Sequence, residues 1–245
     1  TLVFLTPLLA PASMAAPPLQ AGTNVYLPLV TNRALPPVPP TSADLIKDAL
    51  DQGRLDADTA LLYQVFAAFG DSRLPAAYRG DDALVEDSHV MAAVAERYAS
   101  LPPAVQAQLA PFRLPPNAPG SWYAARQSGV AGAAAGDWRA VDTANGKARV
   151  WYSPIYQGEA QQAAAVAAEI DSKIWPGLQE LMKREPLPDA GGPNNGGDAR
   201  LDIYLVRDMA GMGQDMSIRG LTVPHTGCEA TSTWILVNSG RDVGS

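Results

Sequence analysis

Proline limits this chain more than any other residue. The 22 prolines, with a share of the 21 glycines, gather at residues 17–40, 102–120 and 186–197. Proline fixes φ and removes a backbone donor, so such stretches act as punctuation between ordered blocks. The blocks between them have different hydrophobic periods, which gives the chain its first division into parts.

Residues 17–40 are Pro-rich around a short apolar island, Val25 to Val30, and read as an extended linker. Residues 41–112 read as a small all-helical module. Thr41 and Asp44 have capping-box spacing, in which each side chain satisfies an orphan amide at the helix start. Leu45, Ile46, Ala49 and Leu50 then form a stripe that Gly53 ends. A second helix starts near Asp56 to Asp58, carries Leu61, Leu62, Val65, Phe66 and Phe69, and stops at Gly70. A third covers Asp87 to Ala99, and a fourth starts at Pro103, a favoured first-turn residue. Residues 113–136, rich in Pro, Gly and Ala, read as a second linker or a loose wrap.

The second half, residues 137–245, changes character. Trp138 to Thr143 alternate, Asn145-Gly146 supplies a tight turn and Ala148 to Tyr152 return, which predicts a β-hairpin. Glu159 to Arg184 predicts a long helix kinked or broken just before Trp175, because Pro176 cannot donate to the ladder. Leu201 to Val206 and Thr231 to Asn238 predict strands. The expected class is α+β, a helical module followed by a hairpin, a long backing helix and strands.

Charge excludes some partners. Against 25 acidic residues stand 18 basic ones, and no run of Lys or Arg forms a patch, so a nucleic-acid partner lacks its electrostatic footprint. At the start, Leu2 to Ala10 is apolar and Ser13-Met14-Ala15 has the small-x-small form of a cleavage site. Residues 1–16 therefore read as a signal peptide shortened at its front, with a secreted or cell-envelope destination. That stretch is too short to span about 30 Å of hydrocarbon, and no later segment approaches a transmembrane helix. Cys228 is the single cysteine, so no disulfide can form within these residues.

Complete catalytic sets are missing. The two histidines, His89 and His225, do not make a zinc shell, although His225 and Cys228 stand three apart. His89 reads as a helix-surface residue and His225 as an ordinary loop histidine. No G-x-S-x-G elbow supports a serine triad, and GGPNNGGDAR lacks the Lys-Ser/Thr of a phosphate loop. Asp81 with Asp82, or Glu229 with Asp242, could pair as carboxylates, yet nothing marks either pair as poised. The aromatic residues Trp138, Trp151, Trp175 and Trp234 read as core. Asn194, Asp198 and Asp202 space oxygen side chains as a calcium loop does. An Asn/Gly-rich turn before a strand accounts for the same residues without a metal.

Several stretches together resemble a family of secreted bacterial proteins, frequent in Chloroflexi-like genomes, that carry a zinc metallopeptidase domain. They are VYLPLV at 25–30, DTALLYQVFAAFGDSRLPAAYRGD at 58–81, KIWPGLQELMKREPLPD at 173–189 and GGDARLDIYLV at 196–206. The resemblance implies a zincin-like subdomain, incomplete here, in which one of the two later strands is an edge that binds a protein or peptide substrate. It also implies an H-E-x-x-H helix, with two zinc-binding histidines and a general-base glutamate, soon after a strand like WILVN. The chain contains no H-E-x-x-H, so no catalytic residue carries over to it. Zinc is then expected only in a longer protein, with the motif beyond residue 245. The alternative is a non-enzymatic extracellular or cell-envelope binding protein.

Overall fold

The computed structural model describes residues 39–82, 88–127, 137–191, 196–206, 220–227 and 231–239. The expected leader at 1–16, the linker as far as residue 38, Asn194, Cys228, Glu229 and Asp242 lie outside them.

Local chemistry places the helices. In α1 (Ser42–Asp51) the Asp44 amide donates to Thr41 Oγ1 at 3.1 Å, and the Thr41 amide donates back to Asp44 Oδ2 at 3.0 Å. Such a cap contributes about 1 kcal/mol. Asp56 caps α2 (Ala57–Ala68) by accepting from the Asp58 and Thr59 amides, and Gly70 takes a left-handed φ of 57° beyond its end. There follow α3 (Ser88–Arg97), α4 (Pro103–Arg113) and α5 (Trp122–Gln127).

The sheet has five strands, β1 (Arg139–Asp142), β2 (Ala148–Tyr152), β3 (Leu201–Val206), β4 (Gly220–Pro224) and β5 (Thr233–Asn238), in the order β1-β2-β3-β5-β4. β2, β3 and β5 run parallel, while β1 and β4 pair antiparallel at the two edges. A parallel pair needs a crossover, supplied between β2 and β3 by α6 (Glu159–Glu169) and α7 (Trp175–Met182). The kink or break expected just before Trp175 falls where the α-helical ladder is interrupted. A single π-helical turn, Ile170–Ile174, joins α6 to α7, and Pro176 falls in the first turn of α7, where its missing donor costs least.

Strand alternation gives the sheet two apolar faces. Tyr204, Val206, Leu221, Val223, Trp234 and Leu236 pack into one cluster with Ile46, Val65, Phe66, Phe112 and Trp122 of the helical half. On the other face Val150, Ile203 and Leu205 meet Ala163, Ala167, Ile170 and Trp175. Each fully buried large side chain contributes about 1.5–3 kcal/mol.

This packing corrects three expectations. The division into a 41–112 module and a 137–245 domain does not survive, because residues 38–245 form one compact unit with a shared core. The 113–136 stretch holds α5, whose Trp122 and Tyr123 are buried, so its described part is core and not linker. Neither β3 nor β5 is an edge, and β4, absent from the sequence reading although Leu221 and Val223 alternate inward, lies outside β5. The fold is α+β, with a mixed sheet between two helical layers. No helix among the described residues is long and apolar enough to cross a membrane.

Candidate functional site

At the end of the sheet where the parallel strands begin, an apolar strand carries one charge inward. Asp202 is the second residue of LDIYLV, and alternation puts it on the same face as Tyr204 and Val206. It is fully buried, and Trp151 of the neighbouring strand donates its indole N–H to Asp202 Oδ1 at 2.7 Å. Oδ2 has no hydrogen-bond donor among the described residues. Gly196 is pressed against it at a φ of 61°. Burial pushes the Asp202 carboxyl up to about 6. The charges of Asp189 and Asp198 act in the same direction, against the Trp151 donor and Arg149.

Asp189 enters from the short 3-10 turn Asp189–Gly191 and is also buried. His225, from the turn after β4, places Nε2 3.1 Å from Asp189 Oδ1, within ion-pair range but not aligned as a hydrogen bond. Burial raises the Asp189 carboxyl above its ordinary range, opposed by Ser232 and His225. Backbone bonds close the neck of this connection. The Asp189 amide donates to Ala199 O at 3.1 Å and the Leu201 amide to Lys147 O at 3.0 Å.

Outside these groups lies a charged quartet. Arg149 bridges Asp142, Nε to Oδ1 at 2.6 Å, and Asp198, Nη1 to Oδ2 at 2.8 Å, while Arg200 Nη1 meets the same Asp198 oxygen at 2.5 Å. A cavity of about 640 Å³ opens beside it, lined by Asn145, Lys147, Trp175, Pro186, Asp198 and Arg200.

The calcium-loop residues are thus distributed as follows. Asn194 lies outside the described residues, Asp198 is held by two guanidinium groups, and Asp202 is buried beneath Trp151. Among the described residues no group of three or more His, Cys, Asp or Glu side chains could hold a metal ion.

His89 is exposed on α3, as its helix position predicts. His225 is not the ordinary loop histidine expected, since it is buried against Asp189. The sequence offered no signal for that pair, whose members come from different connections. Among the described residues no Ser or Thr side chain hydrogen-bonds the His225 Nε2. Trp175 and Trp234 are buried as read, while Trp151 is half-buried and stacks on Tyr204 at 5.9 Å.

A second polar knot ties the opposite end of the sheet. Glu159, buried at the start of α6, accepts from Ser239 Oγ at 2.8 Å and from the Ser153 amide at 3.2 Å. Gln162 adds a 3.5 Å bond to the Ser239 carbonyl. The exits of β2 and β5 and the entry to α6 are thereby held together.

No protein-family model, curated protein or solved structure matches the chain.

Proposed function

We propose that this chain is the N-terminal, scaffold-bearing part of an exported zinc-dependent peptidase. The observation that carries the reading is the path through the sheet. A parallel core backed by the α6–α7 helix ends in β5, and the Glu159–Ser239 bond fixes the direction in which the chain leaves that strand. In a zincin-like arrangement the zinc-binding helix follows such a strand. Among the described residues no group of three or more His, Cys, Asp or Glu side chains could hold zinc, with His89 exposed and His225 facing Asp189, and the proposal places the ligands beyond residue 245. What these residues would supply is an edge. Among the described residues no strand pairs with the outer side of β4, so an extended peptide could add there by main-chain hydrogen bonds.

Two measurements test this. The sequence that follows Ser245 in the gene should carry H-E-x-x-H within about 30 residues, and the longer protein should hydrolyse casein until a chelator is added. The 245-residue chain should do neither that nor retain stoichiometric zinc. Chelator-sensitive hydrolysis by the 245-residue chain, or a longer gene without the motif, overturns the proposal.

One observation favours the non-enzymatic alternative, a binding protein of the extracellular space or cell envelope. Leu181 is 76% and Met182 53% exposed on α7. Beside them, Leu178, Pro186 and Leu187 line an apolar groove of about 360 Å³.

A further inference from the structure

We propose that Asp202 and Asp189 form a proton-operated latch. With Asp202 protonated, the cluster holds the connection between α7 and β3 against the base of the sheet, and with that proton lost the connection loosens. This inference is independent of the peptidase reading.

The argument is one of countercharge. A buried carboxylate must be paired, hydrogen-bonded or neutralised. Among the described residues, every charged or titratable group that faces Asp202 is accounted for. From β2 come Arg149, committed to Asp142 and Asp198, and Trp151, which satisfies only Oδ1. From β3 itself comes Tyr204, whose hydroxyl burial holds in its neutral form. The turn after Gly196 brings Asp198 and Arg200, which pair with each other. The 3-10 turn brings Asp189, a second negative charge, and the turn after β4 brings His225, directed at Asp189. Among the described residues no cation is left for Asp202, and a β-carbon built on Gly196 would fall 2.4 Å from Oδ2. The remaining neutraliser is a proton on Oδ2.

Ionised Asp202 and Asp189 would repel each other across the neck closed by the Asp189–Ala199 and Leu201–Lys147 backbone bonds. Residues 186–188 and 198–201 also line the cavity beside the quartet, so slackening of this connection would reshape it.

Hydrogen exchange on the 245-residue chain tests the latch. A carboxyl raised from 3.8 to about 6 favours the closed form at low pH and loses that effect between those two values. After correction for intrinsic exchange, the opening constants of the Asp189 and Leu201 amides should rise about tenfold from pH 5 to pH 7 and little above. Asp202→Asn, which cannot ionise, should abolish that rise, and His225→Gln should retain it. The proposal is overturned if Asp202→Asn keeps the rise or if His225→Gln removes it, since the sensor is then the His–Asp pair. It is overturned equally if calcium at pH 7 restores protection, because the countercharge is then a metal ion. Should Asp202→Asn fail to fold, carbon NMR titration of the wild-type carboxyl decides: a midpoint near 6 supports the latch, and one below 5 removes it.

Discussion

Gly196 stands so close to Asp202 that a β-carbon at position 196 would fall 2.4 Å from the Oδ2 atom. The glycine also has a φ of 61°, a conformation that side-chain-bearing residues adopt at a cost. Gly196→Ala should therefore destabilise the protein twice over, by backbone strain and by forcing the buried carboxylate aside, for about 2 kcal/mol or more. Urea unfolding of the variant measures it. Gly197→Ala supplies the contrast, having a φ of 94° but nothing within 4 Å of a built β-carbon. Equal losses at the two positions would show that the Asp202 contact contributes nothing.

The shared core predicts one unfolding transition. Phe112 lies 1% exposed between Phe69 and Trp122, at ring distances of 4.8 and 5.8 Å, in the cluster that also contains Trp234 and Leu236. Phe112→Ala should cost about 3–5 kcal/mol. Helical circular dichroism and tryptophan fluorescence should still give coincident melting curves. Two separated transitions would restore the division into a helical module and a sheet domain.

At the other end of the sheet, Glu159→Gln removes the charge from two buried hydrogen bonds and aims an amide group at Ser239 or at the Ser153 amide. The expected loss is about 1–3 kcal/mol, with Ser239→Ala giving a smaller one and the double variant less than their sum. Denaturant titration of the cycle measures the coupling, and strict additivity would mean that Glu159 does not act through Ser239.

The acid side of the pH profile has the opposite sign to the latch. Burial pushes Asp71 up, but the hydrogen bonds from Arg73 and Trp122 outweigh it and hold the carboxyl below its ordinary value. Asp142 is likewise held low by its hydrogen bonds from Arg149. A depressed carboxyl stabilises the fold above its unfolded value and loses that effect as pH falls through its folded value. Asp202, with a raised value of about 6, is stabilising at low pH and loses its effect as pH rises from 3.8 to that value. Stability should therefore peak on the acid side of neutral, and Asp71→Asn should flatten only the limb below the peak. Thermal melts from pH 3 to pH 8 check this, and a maximum at pH 8 would contradict it.

What was legible in the sequence was what neighbours decide. The Thr41–Asp44 box, the Asp56 cap, the Gly146 turn and the apolar runs of β3 and β5 are local signals, and each element lies within a few residues of where its residues place it. β4 escaped because GLTVP is five residues long, and the antiparallel partners that make it a strand are nine to seventeen positions away. α5 escaped because its helix is only six residues, stabilised by Trp122 in a core built from distant segments. The cluster around Asp202 was half visible. Asp198 and Asp202 drew notice as oxygen donors, but their pairing with arginines, an indole and a glycine depends on strand register. Likewise Asp189 and His225, 36 positions apart in the numbering, meet only because β4 delivers one of them to the base of β3.

The π turn at 170–174 has its own consequence for which side chain reaches the sheet. Ala163, Ala167 and Ile170 face inward at ordinary helical intervals, and an uninterrupted α-helix would send Ile174 after them. Instead Ile174 is 47% exposed and Trp175 is 6% exposed. The extra residue advances the helix by roughly 100° of phase, exchanging an isoleucine for an indole beneath the sheet and turning Leu181 away from it. The surface that α7 offers to other molecules is therefore set by one added residue five to twelve positions earlier in the chain.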